Sequence, residues 1–232
     1  MSAATTDPVR VLGPIRKRQL QRRIRWVVAA TISYNVVEAI IALVAGTVAS
    51  STALIAFGLD SIVEVLSAAA VAWQFSARDP ESREKVALRV IAFSFFALAA
   101  YVLIDTAWSL LGGRAAEHSP VGIVLAAVSL VVMPTLSWFG RRTGRELGSV
   151  TAIANSKQTL LCAYLSAALL TGLLLNTLLG WAWADSIAAL VIAGWAIREG
   201  VEAWRGDACA VPVAALTGER IIEHHHHEAR DG

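Results

Sequence analysis

The sequence predicts an all-α, polytopic membrane protein: a six-transmembrane-helix bundle with both termini cytoplasmic. Three observations lead there. First, 56% of the 232 residues are hydrophobic and only 16% are charged, with a mean hydropathy of +0.58, a balance foreign to soluble domains. Second, the apolar residues gather in runs at roughly 26–46, 52–75, 88–111, 120–139, 150–175 and 183–204, each close to the ~20 residues that cross a bilayer as a helix. Third, Lys and Arg collect in alternate connections, as the positive-inside rule requires. Only helices and closed barrels satisfy their backbone in hydrocarbon, and these runs are too long and too continuously apolar for barrel strands.

The elements follow in order. Residues 1–25 carry Arg10, Arg16, Lys17, Arg18, Arg22, Arg23 and Arg25. They read as a basic cytoplasmic segment that sets topology. The apolar run that follows has no A-x-A site, so no cleavable signal peptide is expected. Gly46 and Ser50-Ser51 mark the first turn, and Arg78-Asp79-Pro80-Glu81 ends the second helix. Arg78, Arg83, Lys85 and Arg89 make the 2–3 connection basic. Gly112-Gly113 and Ser119-Pro120 separate the third and fourth helices, and Arg141, Arg142 and Arg145 follow the fourth. The opposite side has only Arg114. The membrane unit thus spans 26–204, and 205–232 is a short cytoplasmic tail with a His224–His227 run. That run can bind metal loosely, be an unstructured tail, or be a tag remnant. Cys162 and Cys209 supply no disulfide framework.

The second run contains Asp60 and Glu64. A carboxylate at mid-bilayer is unfavourable by about 2.5–3.5 kcal/mol or more, and two spaced i, i+4 on one helix face repel as well. A divalent cation relieves both problems. The fifth run offers Gln158 and Cys162 at the same spacing. If helices 2 and 5 pack side by side, four side chains converge, a number that suits a tetrahedral Zn²⁺-like ion. A thiolate favours Zn²⁺, Cd²⁺ or copper over Mg²⁺ and Ca²⁺. Cys162 alone also reads as a small buried hydrophobe, and Gln158 as interhelical glue or an orienting group. Ser67–Ala70 and Ser166–Ala168 would permit the close approach of helices 2 and 5.

Asn35, Glu38, Asp105 and Lys157 are candidates for a proton or ion path. Glu38 and Asp105 can equally hold helices together, and Lys157 can snorkel or pair with either. Asp185, beside Trp181 and Trp183, reads as structural and close to the outer interface. An intramembrane enzyme is disfavoured, since no His lies in an apolar run to activate Cys162. No nucleic-acid partner is expected. A transporter of organic cations stays open.

The stretch Gly46-x-x-x-Ser50 into Ser51-Thr-Ala-Leu-Ile-Ala-Phe-Gly-Leu-Asp60-Ser-Ile-Val-Glu64 resembles the second helix of the cation diffusion facilitator family. Ala154-Asn-Ser-Lys-Gln158-Thr-Leu-Leu-Cys162 is similar to its fifth helix, and Gly180-Trp-Ala-Trp-Ala-Asp185-Ser-Ile-Ala-Ala-Leu190 to its sixth. The resemblance implies a metal site at Asp60, Glu64, Gln158 and Cys162, where the family has two acids on helix 2 and His plus Asp on helix 5. The family's cytoplasmic metallochaperone-like domain has no counterpart in 205–232, so a homodimer would rest on membrane helices. The function it implies is proton-coupled export of a divalent transition metal, most readily Zn²⁺, with Cd²⁺, Co²⁺, Fe²⁺ or Mn²⁺ as others. The alternative is a metal-binding membrane sensor or regulatory subunit without transport. Metal ion and proton are the substrates, the bilayer of a plasma or inner membrane is the setting, and no prosthetic group is expected.

Overall fold

The structure, a computed structural model, describes residues 14–75, 81–112, 116–147 and 150–206. Arg10, the Arg78-Asp79-Pro80 break, Gly113, Arg114, Cys209 and the His run lie outside the described residues, as do the side chains of 150–158. The helices are α1 (Pro14–Val48), α2 (Thr52–Phe75), α3 (Glu81–Gly112), α4 (Pro120–Leu147), α5 (Val150–Leu179) and α6 (Trp183–Arg205). No strand occurs among the described residues.

Several helices outrun the apolar runs that announce them. α1 begins at Pro14 rather than 26, α3 at Glu81 rather than 88, and α4 continues to Leu147. Hydropathy marks where lipid is. The backbone stays helical further, because Arg, Lys, Gln and Glu are good helix formers. In α1 the basic stretch is amphipathic: Leu20, Ile24 and Val28 are buried at i, i+4, i+8 while Arg18, Arg22, Arg23 and Arg25 are exposed. Residues 14–25 form the first turns of α1.

Among the described residues five helices hold a stretch long and apolar enough to cross a membrane: Arg18–Val48, Thr52–Ala70, Ser82–Gly112, Pro120–Glu146 and Thr159–Leu179. α6 falls below that hydropathy because it carries Asp185, Arg198, Glu199 and Glu202. The outer faces of the bundle are apolar, with Ile40, Val44, Phe93, Ile104, Val131 and Leu178 exposed. In water these faces would be a liability, and in lipid they are the solvated surface. The interior is packed with Leu54, Phe57, Val102, Leu169, Leu173 and Ile192.

The most extensive packings are α4–α5, α3–α6 and α1–α2. α2 touches α1, α3 and α6 broadly and α5 over only a short stretch. The close helix approach expected between α2 and α5 lies elsewhere. A Cβ on Gly172 of α5 would meet the Cβ of Ala188 at 2.9 Å and the carbonyl of Ala184 at 3.1 Å, both on α6. A Cβ on Gly46 of α1 would meet the backbone nitrogen of Ile55 at 2.9 Å. Close contact of this kind holds helices together where lipid offers no hydrophobic drive.

The starts of α2 and α4 are fixed by hydroxyls. Ser51 Oγ accepts the Leu54 N–H at 3.1 Å, and Ser119 Oγ accepts the Gly122 N–H at 3.1 Å, just ahead of Pro120 at the first position of α4. Ser50, with φ 49°, turns the chain from α1 into α2. The two ends of the bundle differ in charge. One end exposes Arg22, Arg23, Lys85, Arg141, Arg142, Arg145 and Arg198. The loops of the other end hold no Lys or Arg among the described residues. At the basic end four arginines stack on tryptophans, the tightest being Arg89 over Trp204 at 3.5 Å. Trp181 and Trp183 stack on each other at the opposite end. Aromatic side chains at two levels mark the two interfaces of a bilayer.

Candidate functional site

Asp60 and Glu64 stand one turn apart on α2, below the residues that cap its start. Across a small cavity they face Cys162 of α5 and Glu199 of α6, with Phe95, Leu165 and Trp195 forming apolar walls. The cavity is therefore acid-lined within a hydrophobic bundle. Neither Asp60 nor Glu64 has an ion-pair partner among the described residues; the pairs found, Arg142–Glu146 and Arg198–Glu202, each join exposed helix positions four residues apart.

Glu64 is held from two sides. Its Oε2 accepts the Asn35 Nδ2–H of α1, and its Oε1 accepts the Cys162 thiol. Asp60, only 6% exposed, receives no hydrogen bond from a described residue. Asn35 is buried too, and its second polar atom, Oδ1, has no partner among the described residues. Cys162 also rests in a small apolar cluster with Met133 and Ala163, so it serves as packing as well as donor. Among the described residues no group of three His, Cys, Asp or Glu side chains is already set to hold a metal ion. The acids are poised around the cavity, with Glu64 engaged by its neighbours.

Glu38, one turn along α1 from Asn35, belongs to a different set. Its Oε2 accepts the Ser61 hydroxyl at 2.8 Å, and its Oε1 accepts the Ser129 hydroxyl of α4. Since the single Ser129 proton goes to Glu38, Tyr34 donates its O–H to Ser129 at 2.7 Å. Glu38 thus ties α1, α2 and α4, and each of its oxygens is engaged by a serine.

Asp105 and Asp185 lie at the far end of α2. Thr52 donates to Asp105 Oδ2 at 2.6 Å. Ser51 donates to Asp185 Oδ1 at 2.5 Å, and the Ala53 N–H to Asp185 Oδ2 at 3.2 Å. The 12 residues from Thr52 to Glu64 span about 18 Å of helix, so Asp105 is not part of the acid-lined cavity. α5 begins at the basic end and α2 at the opposite one, so the backbone positions of Lys157 and Asp105 lie toward different ends of the bundle. Lys157 and Gln158 belong to α5, but their side chains lie outside the described residues. Because α2 and α5 are antiparallel, the step from Cys162 to Gln158 leads toward the same end as the step from Asp60 to Glu64.

Reading the sequence missed Glu199 and the serines around Glu38. Glu199 had a signal: it lies inside the 183–204 run, one turn from Trp195, and both line the cavity. Ser61 and Ser129 had none, since serine is common in membrane helices and its partner is set by helix packing.

A family model described as the cation efflux transmembrane domain matches residues 28–205, from within α1 to the last residue of α6. No curated protein matches the chain.

Proposed function

The chain belongs to the cation efflux transmembrane family, a family of metal-cation transporters and not a class of enzymes, and from that premise we propose that it exports a divalent transition metal, most readily Zn²⁺, in exchange for protons. Cd²⁺, Co²⁺, Fe²⁺ and Mn²⁺ are the further candidates. The observation that carries this reading is the cavity where Asp60, Glu64 and Cys162 meet in an apolar bundle without a cationic side chain from any described residue. Carboxylates in such a place call for a mobile positive charge.

The hydrogen bonds suggest how metal and proton would compete. A thiol must lose its proton to ligate. The Cys162 proton now points at Glu64 Oε1, so its departure frees two donor atoms at once, the thiolate and the carboxylate oxygen. Metal binding would release that proton to water, and protons arriving from the other side would restore the thiol and expel the metal. Asp60, with no hydrogen bond from a described residue, is the donor that needs no such release. Gln158 is proposed as the fourth group. The basic end is proposed as the cytoplasmic one, in a plasma or inner membrane, with a homodimer built through membrane helices.

The decisive experiment is metal-driven proton release in proteoliposomes. Asp60→Ala is expected to abolish it, and normal exchange in that variant would show that the site has been misplaced. A second reading has one observation in its favour: no three acid, His or Cys donors are already gathered as ligands. On that reading the protein senses metal without moving it. Metal binding without flux in the same vesicles would establish the sensor and overturn the exporter.

A further inference from the structure

The geometry points to Asn35 as a further ligand of the transported cation, its side-chain carbonyl oxygen coordinating the ion beside Asp60, Glu64 and Cys162. The inference rests on the reading of that cavity as a cation site.

Asn35 lies on α1, outside the lining of the cavity, and reaches it through Glu64; it is 3% exposed. Its amide has two ends. Nδ2–H donates to Glu64 Oε2. Oδ1 is buried and finds no hydrogen bond among the described residues. Among the described residues the only other buried side-chain oxygen or nitrogen in that condition is Thr106 Oγ1 of α3. Leaving an acceptor dry and unpaired is unfavourable, and proteins keep such atoms mostly where a ligand or water completes them. The two amide ends share one carbon, so the orphan oxygen is one amide width from the nitrogen that holds Glu64.

The orientation of the amide is fixed by chemistry. Reversing it would set Oδ1 against a carboxylate oxygen, two acceptors facing each other. While Glu64 is ionised, Nδ2 stays on Glu64 and Oδ1 is left as a buried acceptor one amide width away, with no partner among the described residues. An acceptor next to a carboxylate attracts a cation, and side-chain amide carbonyls are ordinary oxygen ligands for metal ions.

A neutral oxygen ligand from α1 has a consequence for selectivity. With Asp60, Glu64 and the α5 groups it carries the site past the four ligands that Zn²⁺ prefers. Ions content with five or six oxygen-rich ligands, Mn²⁺ above all, gain from it more than Zn²⁺ does. Asn35 is then a selectivity residue, and because its other amide end binds Glu64, it senses whether that acid is ionised.

Co²⁺ is the probe, because its visible bands are intense when four-coordinate and weak at higher coordination. It is titrated into the purified full chain as wild type, Asn35→Leu, Asn35→Asp and Asp60→Asn. His224–His227 is present in all four, so subtracting the Asp60→Asn spectrum removes any Co²⁺ bound there. Asn35→Leu is expected to raise the molar intensity of the difference bands about threefold and to weaken Mn²⁺ about tenfold, with a smaller change for Zn²⁺. Asn35→Asp, which keeps an oxygen in place, is expected to retain the weak bands and bind Mn²⁺ at least as tightly as wild type. Should Asn35→Leu fail to fold, intense bands in Asn35→Asp overturn the proposal on their own. Wild-type band intensity in Asn35→Leu, with equal losses for Mn²⁺ and Zn²⁺, means Asn35 only steadies Glu64 and also overturns it. If wild type and Asp60→Asn give the same spectrum, the cation site itself is wrong, a failure separate from that of Asn35.

Discussion

The start and the middle of α2 each face a buried aspartate, and the two are treated in opposite ways. At the start, Asp185 comes over from α6 and meets fixed donors, the Ser51 hydroxyl and the Ala53 N–H. The helix N-terminus adds its positive dipole end there, which favours a carboxylate. In the middle, Asp60 has neither a free N–H, since those are spent inside the helix, nor a hydrogen bond from a described side chain. Among the described residues Glu64, one turn on, is held by an amide and a thiol, both of which can let go. The residue type is the same and the burial is nearly the same, 3% against 6%. Donors built into the backbone make the first acid a fastener, and their absence leaves the second open to a mobile charge.

The widest separation should come from removing each aspartate in turn. Asp185→Ala strands a hydroxyl and a backbone N–H at a helix start, which costs about 1–3 kcal/mol. Its melting temperature in detergent should fall by several degrees, while metal affinity per folded molecule stays within about twofold. Asp60→Asn should do the reverse, keeping or raising the melting temperature, since an uncompensated buried charge is removed, and losing metal binding. An Asp185→Ala protein that melts normally but no longer binds metal would erase the distinction between the two ends.

Cys162→Ser probes the middle alone. Serine can still donate to Glu64, so the helix contact survives, but an oxygen replaces the soft sulfur. The preference for Cd²⁺ over Mn²⁺ should fall by about tenfold or more, read as competition against a common reporter ion. An unchanged ranking would leave Cys162 as a packing residue of the Met133 cluster and confine the site to the acids.

How much of this was legible follows the same division. The six helices and the acid pair stand out in the sequence because hydropathy and a charge in hydrocarbon are local properties. The helix ends were misjudged at Pro14, Glu81 and Leu147, because charged residues end a hydrophobic run without ending a helix. Asp185 reads as structural from its tryptophan neighbours, yet its partners Ser51 and Ala53 lie more than 130 positions away, and no local pattern names them. Asn35 and Glu38 look alike in the sequence, two polar residues on one helix. Only the crossing of α1 with α2 and α4 sends one to Glu64 and the other to Ser61 and Ser129.

The smallest effect is expected at Thr52, and it sharpens the comparison because it removes one bond from the fastened end without touching an acid. Thr52 Oγ1 donates to Asp105 Oδ2 at 2.6 Å from a buried position. Thr52→Val keeps the shape and the branched Cβ, so no cavity opens. Asp105 is only partly buried, and water at the membrane surface can replace the lost donor. A hydrogen bond of this kind contributes about 0.5–1.5 kcal/mol, which is a fall of about 1–6 °C in melting temperature for a chain of this size. Metal-driven proton release should be unchanged, because Asp60 lies two turns further down the helix and shares no partner with Thr52. A drop in exchange with an unaltered melting temperature would mean that the start of α2 moves during transport, and Asp105 and Asp185 would then have to be counted with the ion path.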